Sequence, residues 1–163
     1  MNSYTYSPQD VKLVIGGYIF AGWNNIIITR PRPFLTVKGI RGKHTRVQNT
    51  DTSATIVISL MQTSPGNDVF SEILTQDIIN GTARISLTLI DKSGSSAFTS
   101  DEAYVTGFPS ATFSGQFQDR PWEIFCQTTT DYVVGGNGRP NSSLFDAATN
   151  AISGAIDSIG SLF

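Results

Sequence analysis

The sequence predicts a mainly β protein of the α+β class: a small β-barrel or β-sandwich with one flanking α-helix, a long β-hairpin arm and a C-terminal helix. Short runs of β-branched and aromatic residues recur along the chain, separated by Gly, Pro and Asp. Only one internal segment repeats its apolar residues at helical spacing. Hydrophobic residues make up 39% of the 163 residues and charged residues only 15%, which is typical of β proteins with uncharged polar outer faces.

The strand predictions rest on composition and on alternation. Gly16 and Gly17 divide residues 11–20 into two strands joined by a tight turn, and residues 23–25 end that hairpin. Apolar and polar residues alternate over 83–90, which predicts a strand with one buried face. Further strands are predicted at residues 26–29, 34–40, 54–61, 97–99, 102–108, 113–117 and 121–127.

The internal helix is predicted for residues 64–80. Ser64 is the expected N-cap and Pro65 the first helical residue. Asn80 and Gly81 favour the left-handed conformation that ends a helix. The predicted apolar face consists of Val69, Phe70, Ile73, Leu74 and Ile78.

A polar, glycine-bearing segment at residues 38–53 contains the one local concentration of positive charge. It predicts a long hairpin arm whose basic side chains are Lys38, Arg41, Lys43 and Arg46. Such a group binds either nucleic acid or an acidic patch on another subunit. The net charge of −2 favours docking on a subunit. Because the arm is polar, we expect the chain to fold without residues 38–53.

Two regions are predicted along the chain. Residues 1–135 form the β domain, and residues 136–163 form a Gly-rich linker followed by an amphipathic segment. The apolar stripe of that segment consists of Ala148, Ile152, Ile156, Ile159 and Phe163.

The chemistry of an enzyme is not predicted. His44 is the only histidine and lies in the basic arm, where we expect solvent around it, and zinc would lack its usual Cys and His partners. Cys126 is expected to be a buried structural thiol. We therefore expect no catalytic residue, no metal and no cofactor. The N-terminal residues do not match a secretory signal, and no apolar run is long enough to span a bilayer, so cytoplasmic synthesis without membrane contact is expected.

A family resemblance extends over residues 3–136. Its ordered strings are YSPQDV at 6–11, Gly17, RGK at 41–43, NTDTSA at 49–54, IVISL at 56–60, QTSP at 62–65, Asn67-Asp68 and WEIF at 122–125. Together they resemble bacteriophage structural proteins that form the inner tube of contractile tails.

The resemblance implies an assembly and its contacts. Hexameric rings would stack into a tail tube in the virion, through which DNA passes without sequence-specific binding. Sheath, tape measure, baseplate and tail terminator proteins would be the other partners. The implied inter-ring contacts are Lys38, Arg41, Lys43, His44, Arg46 and Asp51, and the outer helix would contribute Asp68, Glu72 and Asp77.

Other interpretations stay open at this point. The chain could be a baseplate subunit that initiates the tube, or the tube of a related contractile injection system. A different class, a carbohydrate-binding β-sandwich module, would also explain many strands with polar outer faces.

Overall fold

The helices and strands were located in a computed structural model, which describes residues 3–140 together with 152–154, 157 and 160. The helix α1 spans Gly66–Asn80, and a single 3-10 turn spans Pro8–Asp10. The strands are β1 (Tyr4–Thr5), β2 (Val11–Ile15), β3 (Tyr18–Phe20), β4 (Trp23–Thr29), β5 (Phe34–Lys38), β6 (His44–Gln48), β7 (Ala54–Leu60), β8 (Ile85–Asp91), β9 (Ala97–Gly107), β10 (Arg120–Thr128), β11 (Asp131–Val133) and β12 (Arg139–Pro140).

One antiparallel sheet dominates the fold. Its strand order is β3-β2-β8-β9-β10-β7-β4, and β11 pairs with the first part of β9 beside β10. Two small two-stranded sheets, β5-β6 and β1-β12, complete the described structure. The prediction of a mainly β fold with a flanking helix and a hairpin arm is confirmed.

The large sheet does not close into a barrel. Strands β3 and β4 lie at opposite ends of its order although only Ala21 and Gly22 separate them in the chain. Gly22 has a φ of +79°, and its carbonyl oxygen accepts a hydrogen bond from Met61 N at 2.9 Å. This bond begins the ladder between β4 and β7, so the turn at Gly22 directs β4 to β7 instead of back to β3. The barrel alternative is corrected to an open sheet.

Alternation along the strands produces the core. In β7 every second residue from Ala54 to Leu60 is buried, and β8 buries Leu87 and Leu89 in the same way. The predicted alternation at 83–90 is therefore confirmed. The buried cluster contains Leu13, Ile15, Phe20, Ala54, Ile56, Ile58, Leu60, Phe70, Leu74, Leu87, Leu89, Phe98, Ala103, Val105, Trp122, Ile124 and Cys126.

Helix α1 covers the sheet through aromatic contacts. The Phe70 ring stacks on Phe20 at 4.8 Å between centroids and lies 5.4 Å from the Trp122 ring. Trp122 Nε1 donates a 2.9 Å hydrogen bond to Asn67 Oδ1, and the Asn67 amide nitrogen donates to Met61 O and Ser64 O. One buried side chain thus joins the helix start, the preceding loop and strand β10.

The ends and face of α1 differ partly from the prediction. Pro65, not Ser64, occupies the N-cap position, and the helix begins at Gly66. Ser64 still acts as a capping group one residue earlier, because its hydroxyl oxygen accepts from Gly66 N at 3.2 Å. Gly81 ends the helix with a φ of +68°, as predicted. Ile78 is 69% exposed, so its assignment to the apolar face was wrong.

Three strand predictions are corrected. Residues 23–25 belong to β4, and the two predicted strands at 97–99 and 102–108 are one strand, β9. The strand continues because buried Ser100 donates its hydroxyl to Thr128 O at 2.6 Å, so the polar residue is satisfied inside the sheet. Residues 113–117 form a loop and no strand, and Phe113 and Phe117 lie exposed within it.

The C-terminal predictions fall largely outside the described residues. Residues 152–154, 157 and 160 are helical, and the rest of the predicted C-terminal helix lies beyond the described part of the chain. Before it, β12 pairs with β1, and Asn137 bridges to Gly94. The boundary at 135/136 stays a prediction.

Candidate assembly surface

A hairpin formed by Phe34–Lys38 and His44–Gln48 projects from the end of the β4–β7 ladder. We call residues 34–48 the arm. Asn49 N donates to Pro33 O at 2.7 Å, which closes its base. Every residue of the arm is exposed, including Leu35 (51%), Val37 (56%) and Val47 (48%). No residue of the arm belongs to the buried core or is among the partly buried residues packed against it.

The register of the arm separates its side chains into two faces. Leu35 is paired with Val47 and Val37 with Thr45, so these four side chains share one face, which we call the apolar face of the arm. The opposite face contains Phe34, Thr36, Lys38, His44, Arg46 and Gln48.

Basic groups lie on the polar face and at the tip. The Arg46 guanidinium of β6 lies 4.2 Å from the centre of the Phe34 ring of β5, a cation–π contact between the two strands. Lys38 and His44 are cross-strand partners. Arg41 and Lys43 belong to the tip, where Gly39 N donates to Lys43 O and Gly42 takes a φ of +81°. The structure thus brings five of the six predicted inter-ring residues together on one exposed hairpin.

Asp51, the sixth predicted contact, belongs to the base of the arm. Its Oδ1 atom accepts from Ser53 N at 2.8 Å, and its own N–H donates to Asn49 Oδ1. The hydrogen bond from the Ser53 backbone is the main reason why the pKa of Asp51 lies below its usual value. Because Ser53 is also buried, the segment that can be removed is 34–48 and not the predicted 38–53.

Arg30 contacts the base of the arm, and no pattern in the sequence singled it out. The Arg30 guanidinium lies 5.1 Å from the centre of the Tyr132 ring on β11, and its charge also lowers the pKa of Asp51. Arg30 precedes the arm and Asp51 follows it, so these contacts join the two segments at its base.

The three acidic residues predicted on the outer helix have different surroundings. Asp68 and Glu72 are exposed and one helical turn apart. Asp77 is half-buried, and its Oδ1 atom accepts from Ala83 N at 3.1 Å, so it holds the loop after the helix. Asp68 and Glu72 hold no loop in place, so these two are suited to an intermolecular contact.

A second exposed apolar surface lies on the loop between β9 and β10. Phe108, Phe113 and Phe117 are 56%, 79% and 81% exposed, and Arg120 lies over the Phe113 ring at 5.7 Å. Exposed aromatic residues in one loop are typical of surfaces that a partner covers.

No arrangement for catalysis or metal binding was found in the described part of the chain. No group of three His, Cys, Asp or Glu side chains there could hold a metal ion, and no described helix is long and apolar enough to cross a membrane.

Asp91 lies at the end of β8, and its carboxylate accepts hydrogen bonds from the backbone N–H and the hydroxyl of Ser93. The bond from the hydroxyl is the main reason why the pKa of Asp91 lies below its usual value. This carboxylate fixes the turn to β9.

Cys126 is fully buried in β10, and burial raises the pKa of its thiol. The thiolate needed for reaction is therefore scarce at neutral pH. We expect native protein to resist a thiol-specific reagent that labels the same protein completely in denaturant. Rapid labelling of the folded protein would contradict the position of Cys126 in the core.

A curated relative reveals the family. Structural protein ORF10 of Pseudomonas phage KPP10 is 31% identical over 157 residues, covering 89% of this chain and 90% of the relative. This chain belongs to that family of phage structural proteins. The predictions of a structural protein of the virion and of a protein that is not an enzyme are thereby confirmed. No protein-family model matches the chain.

Solved structures with the same fold are also known. This phage structural protein resembles the tube-terminating cap of the anti-feeding prophage with a TM-score of 0.52, at 12% identity over 80% of this chain and 93% of the cap. It also resembles a sheath/tube terminator of the extracellular contractile injection system PVC with a TM-score of 0.50, at 15% identity over 82% and 98% of the two chains. At these identities the likeness shows the fold.

Proposed function

We propose that this phage structural protein is a ring-forming subunit of the inner tube of a contractile tail. The observation that carries the proposal is the exposed arm. A two-stranded hairpin on its own is marginally stable in water, and this one also exposes Leu35, Val37 and Val47. A partner that covers those side chains would stabilise it, and a repeating assembly of identical subunits supplies such a partner.

The open sheet supports the same proposal. Strands β3 and β4 end the sheet order, and each has one edge that no described strand pairs. Unpaired edges invite further strands, and natural proteins usually cover them. A contact between two different surfaces of identical subunits closes into a ring or continues as a stack. The sheet edges and the arm would provide contacts in two directions, within and between six-membered rings as the family resemblance implies.

The charge distribution fits a conduit for DNA. The arm contains four cations and no carboxylate while the chain has a net charge of −2, so the remainder carries −6. An acidic wall would not retain a polyanion that passes along it. Under this proposal DNA is in transit only, and the other partners are the sheath, tape measure, baseplate and terminator proteins.

A second candidate is the ring that ends the tube. It is favoured by one observation: both solved structures compared above are caps or terminators of a tube. A terminator forms a single ring at the end of the tube, whereas a tube subunit forms many rings, each of which contacts a ring above it and a ring below it. A tube-initiating baseplate subunit makes the same prediction of a single ring, and the comparisons give the carbohydrate-binding interpretation no support.

Labelling of virions separates these candidates. Gold-labelled antibodies against this protein, applied to tails whose sheath has contracted and exposed the tube, should bind along its whole length. Label at one end alone would contradict the tube and indicate a terminator or an initiator. Antibodies against the sheath protein provide the control for access.

A further inference from the structure

A groove between helix α1 and strand β8 has the shape and chemistry of a receptor. Its floor is formed by the half-buried side chains of Val69 and Ile73 from the helix and Ala83 and Ile85 from the segment after it. The open groove has a volume of about 560 Å³. It is an apolar surface that the described part of the chain leaves uncovered.

The rim of the groove is charged. Asp68 and Glu72 line it on the helix side, where Gln76 donates a 2.9 Å hydrogen bond to Glu72, and Arg84 lines it on the strand side. An occupant with an apolar face and basic flanking groups would meet an apolar floor and two carboxylates. The occupant should therefore be cationic near the helix.

We propose that the groove receives the arm of a second copy of this chain. The apolar face of the arm presents Leu35, Val37 and Val47, and basic groups lie at its tip and on its other face. The strands of the arm are five residues each, about 17 Å at ~3.4 Å per residue. The helix residues that line the groove run from Asp68 to Gln76, about 12 Å at ~1.5 Å per residue, so the two lengths are comparable. The inference rests on the proposed function, because it names the receptor for the arm in the assembly.

The sequence argues against a different occupant, the chain's own C-terminal segment. Residues 141–163 are also amphipathic in pattern, but they contain Asp146 and Asp157 and no Lys or Arg. Their negative charge would meet the negative charge of Asp68 and Glu72, and like charges at an interface oppose binding. The arm has the opposite charge and is the better match.

The contact is directional. The arm and the groove are different surfaces of one subunit, and no residue of the arm lines the groove of its own subunit. Each copy would therefore give its arm to one neighbour and receive an arm from another. Repetition of this contact links copies into a closed ring or a continuing stack.

Disulfide trapping between two populations of subunits tests the contact. One carries Val37→Cys and the other Ile73→Cys, and the native Cys126 is buried and does not interfere. Mixed under conditions in which wild-type protein assembles, they should yield cross-linked dimers that contain one subunit of each kind. The matched control is Thr36→Cys, on the opposite face of the same strand, which should give about tenfold less product because a disulfide requires Cβ atoms within ~4 Å.

Charge reversal provides a second measurement. Asp68→Lys combined with Glu72→Lys should raise the concentration needed for assembly by about tenfold, a typical effect of like charges placed at an interface. Asp101→Lys with Asp131→Lys makes the same change in net charge at exposed positions outside the groove. It should leave the assembly concentration within about twofold of wild type.

The outcomes separate the inference from the proposed function. Assemblies that form without the Val37–Ile73 cross-link, or equal effects of the two charge reversals, would overturn the arm-in-groove contact and leave ring formation standing. A protein that stays monomeric at every concentration tested, with no cross-link, would overturn both.

Discussion

Removal of the arm should abolish assembly and leave a folded subunit. Replacement of residues 34–48 by an Asn-Gly turn joins Pro33 to Asn49, which are already held by a 2.7 Å hydrogen bond. Since no residue of the arm belongs to the core or packs against it, the free energy of unfolding should change by less than about 1 kcal/mol. Size-exclusion chromatography with light scattering should show a monomer at concentrations where the full chain forms large particles.

The controls separate the loss of the arm from a loss of folding. The shortened chain should unfold cooperatively, with a circular dichroism spectrum of the same β type. Thr36→Ala, a change on the polar face of an intact arm, should assemble normally. Assembly of the shortened chain at the wild-type concentration would show that the arm is not a contact, and a non-cooperative transition would show that it stabilises the body.

Truncation of Phe70 should cause a large loss of stability. Its ring is fully buried between Phe20 and Trp122, so Phe70→Ala removes contacts on both sides and leaves a cavity under the helix. Buried Phe→Ala changes cost about 3–5 kcal/mol. For a chain of this size the midpoint of thermal unfolding should fall by roughly 6–20 °C.

Ile78→Ala provides the matched control on the same helix. Ile78 is 69% exposed, so its truncation should change the unfolding free energy by less than about 0.5 kcal/mol. Denaturant titration of both variants measures the difference. Equal effects at the two positions would contradict the orientation of α1, and a small effect of Phe70→Ala would contradict the aromatic contact with the sheet.

Local patterns predicted much of the fold. The Gly16-Gly17 turn, the alternation in β8 and the left-handed Gly81 were all readable, because each depends on neighbouring residues alone. Ile78 was wrongly assigned to the buried face of the helix. A helical repeat shows which residues lie on one side of a helix, but not how far along the helix the sheet covers that side. The open sheet was missed because it depends on a bond between Gly22 and Met61, which are distant in sequence.

The candidate site was predicted in part. The concentration of positive charge marked the arm, but its apolar face depends on the pairing of Leu35 with Val47, and register is not visible in composition. The resemblance also placed Asp51 among the contacts; the structure shows it at the base of the arm, where it accepts from Ser53 N, and its role as a contact stays a prediction. The groove was not predicted, because its floor combines a helix face with the segment that follows the helix.

Negative-stain electron microscopy of the purified protein over a range of concentrations, combined with its mass in solution, tests the central claim most directly. The proposed function predicts rings with a central channel that stack into tubes as the concentration rises, and a mass that rises with them. Single rings that never stack would indicate the terminator or initiator. A monomer at all concentrations, including in the presence of preformed tail tubes as seeds, would contradict the proposal that this phage structural protein builds a tube.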